Sequence, residues 1–223
     1  MKKTAIVVAG GLGKRMQRDI PKQFIEVAGK PLLIHTFEAF KDYYGKAKFI
    51  LVLPEMEIGR WKHIEYHSGF KLPYELVEGG PTRFHSVKNG LLHVPQKALV
   101  LIHDAARPMV SPATISNCIR TASIHGNAVP AVPVTESVRR IEKGISIAEQ
   151  REKFFTVQTP QAFKSDLIKK AYDVVYHPAF TDDASVLEAA GHQIFTTEGN
   201  PENIKITIPA HLGFAEYVLS KNE

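Results

Sequence analysis

The chain predicts an α/β fold: a Rossmann-like, mostly parallel sheet with helices on both faces, plus a protruding β-hairpin arm. Two observations carry this. Apolar runs of strand type alternate with segments of helical spacing from residue 4 to residue 134. Residues 135–156 then break the rhythm with a polar stretch too poor in apolar residues to pack a core of its own.

The elements follow in order. TAIVVA, at 4–9, is the first strand, and a glycine-rich loop comes after it. KPLLIHTFEAFKDY reads as a helix with Pro31 at its first helical position. KFILVLP is a strand, EMEIGRWKHIEYH a helix, and YELVEGG a short strand ending in a glycine turn. TRFHSVKNGLLHV is a helix with Thr82 as its N-cap. ALVLIHDAARP is a buried strand that ends in charge. SPATISNCIRTASIHG is a helix capped by Ser111, with Pro112 in its first turn and Gly126 as its stop. NAVPAVPV is a further strand. In the polar stretch, EKG turns between two short runs of near-alternation, which makes a hairpin. Beyond it, KSDLIKKAYDVVYH and TDDASVLEAAG read as helices, HQIFTTEG and NIKITI as strands, and PAHLGFAEYVLS as a closing helix.

Composition sets bounds on function. The chain has 223 residues, 44% hydrophobic and 23% charged, in the range of a soluble globular protein forming one domain, 1–223, with the arm as its elaboration. A net charge of +5 from scattered basic residues suits anionic small molecules better than nucleic acid. MKKTAIVVAG starts like a signal peptide, but the apolar run stops at Gly10, and Lys14 and Arg15 follow without a small-residue cleavage site. No segment approaches the ~18 apolar residues of a membrane span, so no membrane partner is expected and the cytoplasm is the expected location. Cys118, the only cysteine, reads as a buried, inert thiol.

Ligands in such sheets bind outside the carboxyl ends of the strands. Three segments lie there: the loop 9–24, EGGPTR and HDAARP. The first, AGGLGKRMQRDIPKQF, is neither a P-loop nor a dinucleotide turn. Gly13-Lys14 is followed by Arg15, so no hydroxyl is placed for a metal, and the third glycine of G-x-G-x-x-G is missing. Gly10, Gly11 and Gly13 let the backbone approach a ligand with its N–H groups turned inward. Arg15 and Lys22 add full charges, and Pro21 fixes the backbone before Lys22. Two cations and a ring of amides suit a triphosphate better than a dinucleotide. Asp104, ending a buried strand, can hold Mg²⁺ against that triphosphate, or can cap a helix or pair with Arg107. Arg107 can clamp an acceptor phosphate, and His103 reads as a packed residue. His63 and His67, four apart on a helix, lack the H-E-x-x-H pattern of a zinc site. Asp182 and Asp183 are adjacent, so they splay rather than face each other.

AGGLGKRM…PKQ resembles the G-G-x-G-x-R-M…P-K-Q signature of cytidylyltransferases acting on sugar or polyol phosphates. HDAARP, TPQAF, TDDAS and NIKIT occur in that family's order, and together they resemble the 2-C-methyl-D-erythritol 4-phosphate cytidylyltransferases over nearly the whole chain. Relatives acting on ribitol 5-phosphate are the alternative, but Ala106 and TDDAS favour the erythritol group. The resemblance implies transfer of cytidylyl from CTP to methylerythritol phosphate, with pyrophosphate released and Mg²⁺ as cofactor. It implies catalytic roles for Arg15, Lys22, Arg151 and Lys205, and a metal ligand at Asp104. It places the substrates against Gly10, Gly11, Gly13, Gly79, Gly80, Ser86, Ala105, Arg107, Ser137, Thr159 and Thr181. The chain departs from the family at Pro81 and His85, where acidic residues are usual, so backbone groups are left to read the base. Finally, it implies a homodimer in which the arm, 135–156, carries Ser137 and Arg151 to the partner's site. A nucleotide-binding module without catalysis is the rival of a different class, and turnover separates the two.

Overall fold

The computed structural model describes residues 1–10, 20–43 and 45–221. Its centre is four parallel strands: β1 (Lys3–Val8), β4 (Lys48–Leu53), β5 (Glu75–Glu78) and β6 (Leu99–Asp104), with β1 between β4 and β6 and β5 outside β4. Side chains alternate between two cores, as the pleat requires. Ala5, Val7, Leu51, Leu53, Leu99 and Leu101 face one side. Ile6, Val8, Ile50, Val52, Val100 and Ile102 face the other.

Each face is covered by helices, as expected. The first core takes α1 (Leu32–Glu38), α2 (Glu55–Ser68) and α4 (Pro112–His125) through Phe37, Trp61 and Cys118. The second takes α3 (Arg83–Leu92), α5 (Ser165–Ala171) and α6 (Asp183–Ala189) through Val87, Ile168 and Leu187. The helix signals hold: the Thr82 and Ser111 side chains accept from the backbone N–H groups of His85 and Thr114, and Gly126 ends α4 at φ 95°. A third small core joins β2 (Glu26–Val27), which pairs with β3 (Lys30–Pro31), to the closing helix α7 (Ala210–Ser220).

The far half of the sheet departs from a parallel order. β7 (Asn127–Pro133) does not pair with β6; β11 (Gln161–Lys164) runs antiparallel between them. β10 (Phe155–Val157) also pairs antiparallel with β7, and β12 (Thr196–Glu198) pairs with it in parallel. Three other expectations are corrected. Pro31 is the N-cap of α1, one position earlier than expected, because Lys30–Pro31 is held extended against Glu26–Val27. The helix at 164–177 stops at Ala171, before the β-branched pair Val174–Val175 and Pro178. NIKITI is no strand: Ile206 N–H donates to Ala106 O, and the segment lies across the end of β6 without a ladder.

The arm is a hairpin of β8 (Arg139–Glu142) and β9 (Ile145–Ala148), which pair only with each other. Lys143 and Gly144 form its two-residue turn, both with positive φ, the arrangement that matches strand twist. Every residue of the two strands is exposed. Ile141 and Ile145 are about two-thirds exposed, and Phe155 on the adjoining β10 is more than half exposed.

Candidate active site

The carboxyl ends of β1, β4 and β6 meet at one edge. Ala9 N–H donates to Val52 O and Ala105 N–H to Val8 O, and Gly79 N–H, just after β5, donates to Leu53 O, so the four exits are locked in register. The loop after β1 lies mainly outside the described residues, and Gly11, Gly13 and Arg15 with it.

A cradle forms around Ser86, buried on the first turns of α3. Its Oγ accepts from Gly80 N–H at 3.1 Å and donates to Thr82 O at 3.0 Å. A Cβ on Gly10 would lie 3.3 Å from that oxygen, and one on Gly79 would lie 3.1 Å from it. A Cβ on Gly80 would meet the His85 Cβ at 2.4 Å. A side chain is therefore excluded at Gly80, and Gly10 and Gly79 leave little room for one beside the Ser86 hydroxyl. Pro81 is exposed, and His85 Nδ1 is engaged with Thr82 Oγ1 at 2.8 Å.

Beside the cradle, Asp104 is a charge hub. Arg83 Nε donates to its Oδ1 at 3.0 Å, Lys205 Nζ sits on Oδ2 at 2.8 Å, and Arg107 Nε lies 3.8 Å from Oδ2. Burial works to raise the Asp104 pKa, but Arg83, then Lys205 and Arg107, outweigh it and hold the carboxyl well below the usual range. Burial lowers the Arg107 pKa, and Asp104 offsets part of that. The Arg107 guanidinium is already engaged through Nη1 to Asn203 O (2.7 Å) and Nη2 to Val157 O (3.3 Å). Its Nε and the Asn203 Oδ1 are buried without a hydrogen-bond partner among the described residues.

Lys205 reaches the hub from the segment that lies across the end of β6. Ile206 packs into the third core, and Lys205 projects to the opposite side. Lys22 Nζ donates to Ile206 O at 3.2 Å, which brings it beside the same segment. The strand exit is braced from behind. Asp104 N–H donates to Thr159 Oγ1 at 3.1 Å; the Arg107 carbonyl can only accept, so a neutral His103 carries its proton on Nε2 and takes the Thr159 hydroxyl proton at Nδ1, 3.0 Å away. His103 is then a neutral tautomer whose Nε2–H donates to Arg107 O. Burial pushes its pKa down to about 4, which keeps it neutral. Ala105 uses both backbone groups internally: its N–H goes to Val8 O, and its carbonyl accepts from Thr36 Oγ1.

The arm residues do not join this cluster within the chain. Arg151 Nη1 donates to Thr135 O at the arm's base, and Ser137 is exposed. Thr181 is exposed immediately before α6. Its neighbours divide their work. Asp182 caps α6 through Ser185 N–H and accepts from Gln161 Nε2, while Asp183 turns inward to Arg83. The sequence reading missed Arg83. Its guanidinium makes a bidentate pair with Asp183 (2.9 and 2.8 Å), and Tyr172 OH donates to Asp183 Oδ1 at 2.6 Å. The available signal was an arginine directly after a glycine turn and a cap, followed by the buried-facing Phe84 and Val87.

Asp104 is the carboxylate that can serve a metal here. Among the described residues no group of three or more His, Cys, Asp or Glu side chains converges. One ionised carboxylate suffices for Mg²⁺, which completes its shell from substrate phosphates and water, and at Asp104 the ion would share Oδ2 with Lys205 because Arg83 holds Oδ1. The His63 and His67 rings lie 4.2 Å apart on α2, tilted by 42°, and His67 Nδ1 contacts its own helix at His63 O.

The chain matches a family model described as 2-C-methyl-D-erythritol 4-phosphate cytidylyltransferase over residues 3–221. It is 45% identical to the protein of that name from Bacteroides thetaiotaomicron, over 98% of this chain and all of the relative. It is likewise 45% identical to the one from Phocaeicola vulgatus, with the same coverage. Its fold is similar to the crystal structure of a 4-diphosphocytidyl-2C-methyl-D-erythritol synthase from Anaerococcus prevotii, with a TM-score of 0.83 and 26% identity over 98% of this chain and 96% of that one.

Proposed function

The chain belongs to the 2-C-methyl-D-erythritol 4-phosphate cytidylyltransferase family, and we propose how its residues carry out that family's reaction. It is an enzyme that transfers cytidylyl from CTP to 2-C-methyl-D-erythritol 4-phosphate, for isoprenoid precursor synthesis. A phosphate oxygen of the acceptor attacks the α-phosphorus of CTP, and the α–β bridging bond breaks to release pyrophosphate. The nucleophile is already ionised at neutral pH, so no general base is required. The obstacle is that one anion attacks another, and catalysis rests on position and neutralising charge.

The observation that carries this reading is the Asp104 hub, with Arg83, Arg107 and Lys205 around it, set beside the Ser86 cradle at the strand ends. The cytosine ring enters the cradle of Gly10, Gly79, Gly80 and Ser86, read by backbone groups because Pro81 and His85 offer no carboxylate. Gly11, Gly13, Arg15 and Lys22 take the triphosphate and stabilise charge at the α-phosphate and the leaving pyrophosphate. Asp104 would hold Mg²⁺ against the triphosphate, where the ion neutralises phosphate charge. Lys205, Arg107 and Thr181 position the acceptor, while Thr159 and Ala105, whose polar groups are engaged within the chain, brace the strand exit behind Asp104.

The arm completes the site in a homodimer. It has no core of its own, it carries exposed Ile141 and Ile145, and it adjoins the apolar edge strand β10. Ser137 and Arg151 then serve the partner's acceptor site. No helix among the described residues is long and apolar enough to cross a membrane, and we place the enzyme in the cytoplasm.

A pyrophosphate-release assay with a panel of nucleotides against polyol phosphates tests the reading. CTP with methylerythritol phosphate should turn over fastest. Equal turnover with ATP would overturn the pyrimidine cradle, and faster turnover of ribitol 5-phosphate would overturn the acceptor. Binding of CTP without pyrophosphate release from any acceptor would leave a nucleotide-binding module.

A further inference from the structure

We propose that Arg83 is a positioning residue that fixes the Asp104 carboxylate and locks the nucleotide side of the site to the acceptor side. The inference rests on the cytidylyl-transfer reading and deepens it.

Arg83 is the first residue of α3, three positions after Gly80. Asp183 is the first residue of α6, two positions after Thr181. One guanidinium ties the two helix starts together and reaches Asp104 at the end of β6. Three of its five N–H groups are directed at carboxylates: Nε–H to Asp104 Oδ1, one Nη–H to each oxygen of Asp183. Asp183 is 0% exposed, and the Tyr172 hydroxyl holds it from the far side. Tyr172 in turn stacks on Phe84, the neighbour of Arg83, with centroids 4.7 Å apart. The ring of contacts Arg83–Asp183–Tyr172–Phe84 therefore closes on itself, and the guanidinium plane has little freedom to rotate. A planar fork imposes geometry that a lysine point charge cannot.

This geometry bears on chemistry through Asp104. With Oδ1 held by Arg83, Oδ2 is the oxygen presented to Lys205 and to the site. If the Arg83 fork is lost, the Asp104 carboxylate is free to rotate, and Lys205 loses its fixed anchor. The Arg83 hydrogen bonds go to Asp104 and Asp183, which fits a group that acts through another.

The test is steady-state kinetics with thermal melting on Arg83→Lys, Asp183→Asn, Tyr172→Phe and the Arg83→Lys/Asp183→Asn double variant. The proposal expects kcat to fall about 10–100-fold in the first two, the usual cost of disturbing a supporting partner. KM for CTP should stay within about threefold, because the Ser86 cradle is held by its own hydrogen bonds. The double variant should be no slower than the slower single, since both break one network. Tyr172→Phe removes only a hydroxyl and should lower kcat a few-fold; together with Asp183→Asn it decides the matter if Arg83→Lys does not fold. A purely structural role predicts lower melting temperatures with wild-type kcat at temperatures where the variants are folded, and that result overturns the proposal. So do single-variant losses that multiply in the double. If the wild type itself releases no pyrophosphate, the functional reading fails instead, so the two failures are distinguishable.

Discussion

Replacing Gly80 with alanine should disable the nucleotide site while leaving the fold in place. The added Cβ would lie 2.4 Å from the His85 Cβ, and 3.1 and 3.3 Å from the His85 carbonyl carbon and Cα. Carbon atoms pack at about 3.5–4.0 Å, so the turn must withdraw from α3 by about 1 Å. Rotamer change cannot relieve this, because two of the three contacts are backbone atoms of a capped helix. Withdrawal by that amount stretches the 3.1 Å bond from Gly80 N–H to Ser86 Oγ beyond hydrogen-bond range. A misplacement of about 1 Å can cost about 100-fold in rate, or about 2.7 kcal/mol of barrier. The assay is kcat/KM for CTP by continuous pyrophosphate detection, read beside the melting temperature. Gly59→Ala is the control: it lies within α2 with nothing within 4 Å of the new Cβ, and should gain about 1 kcal/mol of stability without a kinetic change. If Gly80→Ala keeps kcat/KM within about threefold of wild type, the cradle is not where the nucleotide binds.

Lys22→Ala should lower kcat about 100–1,000-fold, the ordinary loss for a preorganised charge at a developing oxyanion, with little change in melting temperature; unchanged turnover would remove Lys22 from the phosphate site. Mixing Arg15→Ala with Arg151→Ala subunits should restore activity to about a quarter of all sites if a two-fold dimer exchanges arms. No recovery, with exchange confirmed by tagged subunits, would show that each arm serves its own chain. Cys118 should resist iodoacetamide at neutral pH in the folded protein, because burial pushes its thiol up to about 12. Stoichiometric labelling without unfolding would contradict that environment.

The sheet was legible because its central strands are apolar runs bounded by turn residues, and because Thr82, Ser111 and Gly126 mark helix ends by local chemistry. What stayed hidden depends on distant partners. QAFK at 161–164 is too short to announce a strand, and only its pairing with β6 and β7 makes it one. NIKITI shows the converse. Its alternation is real, with Ile206 packed into the third core and Lys205 opposite, but the alternation serves a segment lying over a strand end, not a ladder.

The same distinction divides the site. Gly79, Gly80 and Lys22 stand in turns at strand exits, where a local reading finds them as site candidates, while Ser86 and Lys205 were expected from the family resemblance. The groups that hold them in place are joined across the chain: Arg83 meets Asp183 100 residues away, and Thr159 meets Asp104 across 55. In sequence, Arg83 is one more charge in a first helical turn and Asp183 one of an adjacent acidic pair. Folding separates that pair into a helix cap and the inner half of an ion pair, a division the two neighbouring letters cannot express. Residues that meet the substrate answer to its shape and leave a local pattern. Residues that aim them answer only to the fold, which is why the Arg83 network emerged from the geometry of the site rather than from any motif.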